Sequence, residues 1–141
     1  MLYLIISIGE DIMNKVKQAG YVIEFDGGYD RALAKESVGT GWASLIDEIF
    51  DKMVTMTNPP MIVQVKEKYA GLRVYTDRYV EELETVIQEA EKKSFKVCET
   101  CGNPGKVRGK RWWYTSCDEH AAVGDIPHLY QFGDKDAEEE I

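Results

Sequence analysis

Apolar residues recur along this chain with two different periods. At the start, Leu2, Tyr3, Leu4, Ile5, Ile6 and Ile8 form a short apolar run that reads as a buried strand, and Tyr21, Val22, Ile23 and Phe25 form a second strand candidate. Between them Ile12, Met13, Val16 and Ala19 fall on one side of a short helix over residues 9–19, which Gly20 is placed to stop. Asp26, Gly27 and Gly28 then make a turn. From Trp42 the period becomes helical, with Trp42, Leu45, Ile46, Ile49, Phe50, Met53 and Val54 forming a core stripe that ends at Asn58, Pro59 and Pro60. A further helix over residues 78–94 carries Val80, Leu83, Ile87 and Ala90 at core spacing. Asp77 suits its N-cap, and Glu81, Glu82 and Glu84 near the start and Lys92 and Lys93 near the end suit its dipole.

Between these helices, residues 61–76 alternate and read as a β-hairpin turning at Ala70 and Gly71. A two-residue loop there sets Tyr69 opposite Leu72, Lys68 opposite Arg73 and Lys66 opposite Tyr75, and opposed residues share a face. One face then presents Gln64, Lys66, Lys68, Arg73 and Tyr75. The other presents Val63, Val65, Tyr69, Leu72 and Val74, with Glu67 as the exception. Side chains two apart on a strand sit about 7 Å from each other, so Lys66 and Lys68 can reach neighbouring phosphates or carboxylates while Tyr75 offers a stacking surface. The competing reading is an ordinary solvated sheet face, and a bulged three-residue loop would shift the pairing.

Cys98, Cys101, Cys117 and His120 form a C-x2-C-x15-C-x2-H array that uses every cysteine in the chain. Two close pairs of soft or borderline ligands bring four donors together at little loop-closure cost, which predicts a tetrahedral Zn2+ site. Gly102 allows the tight knuckle after the first pair, and residues 117–122 fit the first turn of a helix that puts Cys117 and His120 on one face. Two strands between the pairs complete a treble-clef or ribbon-like finger. Because all four positions are filled by protein, the predicted zinc is structural. The H-x-E and P-C-x-x-C segments of nucleic-acid deaminases are missing, and no thioredoxin-like pattern surrounds the CxxC.

Composition narrows the picture further. At 141 residues and 44% hydrophobic the chain can bury a core without disulfides, and thiolate ligands imply a reducing, cytoplasmic setting. The N-terminal apolar run is too short to span a bilayer, so no membrane association is expected. The formal net charge of −8 argues against non-specific DNA binding. Its distribution is uneven, since residues 61–113 hold eleven basic and eight acidic groups whereas residues 114–141 hold one and eight. In the finger, Lys106, Arg108, Lys110 and Arg111 precede Trp112, Trp113 and Tyr114, a combination suited to single-stranded nucleic acid or a nucleotide. Strand alternation sends the two tryptophans to opposite faces, one covering the zinc core and one, taken as Trp113, left for contact. Gly39, Thr40 and Gly41 offer a weak candidate phosphate loop at a helix start. Asp47, Glu48 and Asp51 read as a solvated helix face, and residues 133–140 as a solvated acidic tail.

The string Gly41-Trp42, the segment from Gln64 to Tyr75 (QVKEKYAGLRVY), the helix ending Ala90-Glu91-Lys92-Lys93-Ser94, and the pairs Cys98-Glu99-Thr100-Cys101-Gly102 and Cys117-Asp118-Glu119-His120 together resemble a family of small zinc-finger proteins of bacteriophages and prophages. The resemblance covers about residues 39–122 and implies a phage setting; a second glycine often stands in that family where this chain has Ala70. The expected organisation is an α+β domain over residues 1–95, with an antiparallel sheet packed by two main helices, then a zinc finger over 96–124 and an acidic tail over 125–141. The leading functional expectation is a non-enzymatic phage accessory protein that binds a host protein in the host cytoplasm, as a counter-defence or host-takeover factor. The alternative is a nucleic-acid or nucleotide binder that uses the hairpin face and the finger. A small metal-dependent hydrolase or transferase ranks last, for want of an open metal position or a nucleophile and base pair.

Overall fold

A computed structural model of the protein describes residues 28–131. The strands and helix expected within residues 2–25, and the tail from residue 132, lie outside the described residues. Within them the architecture is α+β, with three α-helices and two small antiparallel sheets. Helix α1 (Arg31–Glu36) starts at Asp30, whose carboxylate accepts from the Leu33 amide. A 3-10 turn (Thr40–Trp42) leads into α2 (Ala43–Val54). Strands β1 (Ile62–Lys68) and β2 (Gly71–Thr76) form the hairpin, and α3 (Glu81–Ser94) follows. Strands β3 (Lys106–Arg108) and β4 (Tyr114–Ser116) form the second sheet, and a 3-10 turn (Asp118–His120) comes after it. No helix among the described residues is long and apolar enough to cross a membrane.

Helices α2 and α3 and the hairpin bury one common core: Trp42, Leu45, Ile46 and Ile49 meet Ile62, Val65, Leu72 and Val74, and Leu83, Ile87 and Ala90 close it. Burial falls along α2 from Ile49 through half-buried Phe50 and Met53 to Val54, which is 79% exposed, so the apolar stripe is longer than the core it packs on. Helix α1 is tied to the outer side of α2 by ion pairs, Arg31 to Asp47 at 2.7 Å and Asp51 at 2.9 Å, and Lys35 to Asp47 at 2.8 Å. The acidic face of α2 therefore serves helix docking.

The hairpin turns one residue earlier than expected, and the reason is steric. Tyr69 and Ala70, at φ 50° and 70°, form the two-residue loop, with both central residues at the positive φ that a twisted hairpin demands. Gly71 is instead the first residue of β2, where a Cβ would stand 2.4 Å from the ring of Phe95. Lys66 therefore opposes Arg73, Gln64 opposes Tyr75 and Lys68 opposes Gly71. Most of the pairing has moved by two residues, so the side chains from Gln64 to Lys68 and from Leu72 to Tyr75 keep their expected faces. Two assignments change: Tyr69 leaves the core face for the turn and is 68% exposed, and a bulge between Ile62 and Gln64 makes Ile62 the fully buried residue in place of Val63.

Helix α3 begins at Glu81, later than expected, after Val80 in an extended conformation without a side-chain cap. Asp77 closes the open end of the hairpin instead, its carboxylate accepting from the Met61 amide at 2.8 Å. The far edge of β2 is bonded to α3 through side chains: the Leu72 amide donates to Ser94 Oγ at 2.9 Å and the Val74 amide to Glu91 Oε2 at 3.0 Å. These bonds occupy an edge that would otherwise invite another strand.

Candidate metal centre and the adjoining cleft

The first cysteine pair sits in a knuckle directly after α3. The Gly102 amide donates to the Cys98 carbonyl at 2.9 Å, the Cys98 amide to the Asn103 carbonyl at 2.7 Å, and Gly102 takes φ 83°, which a side chain would resist. The second pair brackets the 3-10 turn; the expected α-helix is absent because the chain becomes extended at Ala121. Three residues per 3-10 turn still align Cys117 with His120. The β3–β4 hairpin carries the chain from one pair to the other.

All four donor atoms lie within 4.8 Å of one another. Cys101 Sγ is 3.7 Å from Cys117 Sγ, and His120 Nδ1 is 3.2 Å from Cys117 Sγ and 3.8 Å from Cys98 Sγ. A tetrahedral ion with thiolate bonds near 2.3 Å and an imidazole bond near 2.0 Å would separate its ligands by roughly 3.5–3.8 Å. Three soft donors and one borderline donor at these spacings fit a metal ion. Burial pushes the Cys98 thiol up, but backbone hydrogen bonds from Cys117, Cys101 and Thr100 outweigh it and bring the thiol down to about 6. The Cys101 thiol moves the other way: a backbone hydrogen bond from Asn103 favours its thiolate, but burial and the neighbouring sulfurs of Cys98 and Cys117 prevail and raise it. Clustered thiols resist sharing negative charge, which is the electrostatic reason such a set suits a cation.

The knuckle is locked to the α+β platform by residues distant in sequence. The Gly41 amide donates to the Glu99 carbonyl at 2.9 Å, Thr40 Oγ1 to the Thr100 carbonyl at 3.0 Å, and the Trp42 indole to the Val97 carbonyl at 2.8 Å. A Cβ at Gly41 would stand 2.0 Å from the Cys98 carbonyl oxygen, and one at Gly39 2.1 Å from that of Glu99. Gly39, Thr40 and Gly41 are thus the seat of the knuckle, not a phosphate loop. Sequence reasoning noticed the glycines but not the partner that requires them. Across the finger, the buried Thr115 hydroxyl donates to the Ala70 carbonyl in the hairpin turn at 2.8 Å. Glu99 joins both contacts, its amide donating to the Thr115 carbonyl and its carboxylate accepting from the Thr115 amide, each at 3.1 Å. Burial raises the Glu99 carboxyl above its ordinary value, against the hydrogen bond from Thr115.

The candidate contact residues separate into four groups. Lys66, Lys68, Arg73 and Tyr75 do share the hairpin face away from the core, with the Lys66 ammonium 5.6 Å from the centre of the Tyr75 ring. Lys106, Lys110 and Arg111 are exposed on the finger. Arg108 is buried, and its guanidinium donates to the Ser116 carbonyl at 3.1 Å and to Asp118 at 2.6 Å, on either side of Cys117. That arginine braces the segment that carries Cys117 and His120. The tryptophans also depart from expectation: Trp112 is 74% exposed, and Trp113 is half-buried with its ring edge-on to His128, centroids 4.7 Å apart. Both precede β4, so strand alternation never applied to them.

Residues beyond 124 also contact β3. Pro127 bridges to Arg108, the His128 amide donates to the Val107 carbonyl at 2.9 Å, and Gln131 Oε1 accepts from the Val107 amide at 2.8 Å. Residues 125–131, expected to open the acidic tail, pack along β3. Between the hairpin turn and the loop before β4 lies a cleft of about 600 Å³ lined by Glu67, Lys68, Tyr69, Arg111, Trp112 and Trp113. No protein family, curated protein or solved structure matches the chain. The resemblance to phage zinc-finger proteins therefore rests on its motifs alone.

Proposed function

We propose that this chain is a non-catalytic binding protein in which a structural zinc ion, held by Cys98, Cys101, Cys117 and His120, fixes a treble-clef or ribbon-like finger against an α+β platform. The observation that carries this reading is the donor set itself: three thiols and an imidazole whose donor atoms lie within 4.8 Å of one another, in loops hydrogen-bonded back to the platform through Gly41, Thr40, Trp42 and Thr115. A zinc ion closed by four protein ligands offers no position for water or substrate, so its contribution is folding free energy. The motif resemblance supports placing the protein among phage accessory factors that act on a host component in the host cytoplasm, in counter-defence or host takeover.

The test begins with metal content. Elemental analysis of protein purified without added metal should give one zinc per chain, lost on Cys117→Ala substitution or strong chelation together with finger structure. Capture from host lysate, with and without nuclease, then identifies the class of partner. A different resident metal would displace zinc from the proposal, and turnover of a substrate that needs the intact metal site would overturn the non-catalytic reading.

A further inference from the structure

The cleft beside the hairpin turn unites two features that lie about forty residues apart in the chain, the cationic hairpin and the basic-aromatic finger loop. Its walls carry three aromatic rings, two cations and one carboxylate, and that carboxylate, Glu67, is occupied in accepting from the Ala70 amide at 3.0 Å. Two of the rings, Tyr69 and Trp112, are among the most exposed aromatics of the described residues. Such rings are poor choices for water-facing positions, and Tyr69 is further disfavoured by its φ of 50°, a conformation a bulky residue adopts only when its surroundings impose it. The surroundings here are the two-residue hairpin turn itself, held by Thr115, which fixes the Ala70 carbonyl, and by Phe95 at the end of α3, which fits against Gly71.

From this cleft the hairpin face away from the core continues as successive rungs, first exposed Lys68, then half-buried Lys66 with Arg73, then Gln64 with exposed Tyr75. Rungs about 7 Å apart are comparable with the spacing of successive phosphates in an extended strand. The ion pairs among the described residues use Arg31, Lys35, Lys52, Lys93 and Arg108; on this surface Arg73 lies near the Glu91 carboxylate, and Lys66 and Lys68 stand over the rings of Tyr75 and Tyr69. The acidic groups in those pairs lie on α2, on α3 and in the 118–120 turn.

Resting on the binding-protein reading above, we infer that this cleft and the adjoining hairpin face form a binding site for single-stranded nucleic acid. A base stacks against Tyr69 and Trp112, Lys68 and Arg111 neutralise its flanking phosphates, and the strand continues past Lys66 and Arg73. Stacking on exposed rings with backbone neutralisation is tolerant of sequence and excludes a duplex, whose bases are not available to the rings.

Fluorescence anisotropy of a labelled oligothymidylate roughly 12 nucleotides long, within the usual site sizes, tests the inference on the zinc-loaded full chain. Saturable binding should weaken roughly 10-fold in Trp112→Ala, the loss expected for one stacked base. In Lys68→Glu/Arg111→Glu the slope of log affinity against log salt should fall by about 1.4, from two lost phosphate contacts at roughly 0.7 each. All these positions are exposed, and unchanged zinc stoichiometry in each variant confirms that the fold is intact. No saturable binding by the zinc-loaded wild type, or binding that both variants leave unaltered, overturns the inference. A nuclease-resistant host protein captured in that case leaves the proposed function standing, and its loss in Trp112→Ala would assign the cleft to a protein. Thymidine monophosphate competing as well as the oligonucleotide would overturn the extended path along the hairpin.

Discussion

The hydroxyl of Thr115, in the last strand of the finger, donates to the carbonyl of Ala70 in the hairpin turn at 2.8 Å, and the donor residue is fully buried. Removing the donor leaves that carbonyl without its partner, so Thr115→Val is expected to destabilise the zinc-loaded protein by roughly 1–3 kcal/mol in urea unfolding. Amide exchange in residues 68–71 should rise in the same variant, while Thr115→Ser preserves both properties. Equal stability of the valine and wild-type proteins would show that the contact does not hold the turn.

Gly41→Ala probes the seat of the knuckle. Its new Cβ would meet backbone atoms at 2.0 Å and 2.6 Å, the Cys98 carbonyl oxygen and the Gly102 nitrogen, neither of which can swing aside as a side-chain tip would. Overpacking of this kind costs roughly 1–3 kcal/mol or more. Because the strained atoms belong to the metal loop, zinc affinity measured against a chromophoric chelator should fall together with stability. A loss of stability with zinc affinity unchanged would separate the seat from the metal site.

Arg108 is a positioning residue for the second ligand pair. Lysine retains the charge but not the planar fork that reaches the Ser116 carbonyl and Asp118 together. Arg108→Lys should therefore weaken zinc binding by roughly 10- to 100-fold, the usual cost of losing an outer partner of a metal site. Asp118→Asn should reproduce part of that effect. Chelator competition reads both, and an unchanged zinc affinity in the lysine variant removes Arg108 from the site.

Glu91 gives a pH signature. Burial raises its carboxyl above the ordinary value, although a hydrogen bond from the Val74 amide and the charge of Arg73 oppose the rise. A carboxyl whose folded-state pKa is raised contributes stability that is fully present below its unfolded value and is lost as pH rises through the folded value. Glu91→Gln keeps an acceptor for Val74 without the buried charge. The variant should be at least as stable as wild type at pH 7, with its advantage shrinking as pH falls toward the unfolded carboxyl value of about 4.3. A lower thermal midpoint at pH 7 would count against the desolvation account.

The long periodic segments and the clustering of three cysteines with a histidine were legible in the sequence because their signals are local. The stripe from Trp42 to Ile49, the alternation through Val65, Leu72 and Val74, and the paired spacing of Cys98, Cys101, Cys117 and His120 each state their own geometry. What the sequence hid depends on partners remote in the chain. Gly71 looks like a turn residue until Phe95 is seen against it, and Gly41 looks like a phosphate loop until the Cys98 carbonyl is seen where its side chain would stand. Arg108 shares a basic stretch with Lys106, Lys110 and Arg111, and only the position of Asp118 distinguishes the buried cation from the exposed ones. Asp77 has the composition of a helix cap, yet its carboxylate goes to Met61 across the hairpin.

The contact between Trp42 and Val97 spans 55 residues, and that between Thr40 and Thr100 spans 60. During synthesis the glycine seat leaves the ribosome long before the knuckle that occupies it, so the finger cannot settle until nearly all of the described chain has emerged. The hairpin and α2 emerge before the knuckle that packs on them, so capture of the proposed zinc would coincide with final docking. Stalled nascent chains released before and after residue 120 should therefore differ abruptly in protease resistance around Trp42, far in sequence from the last residues added.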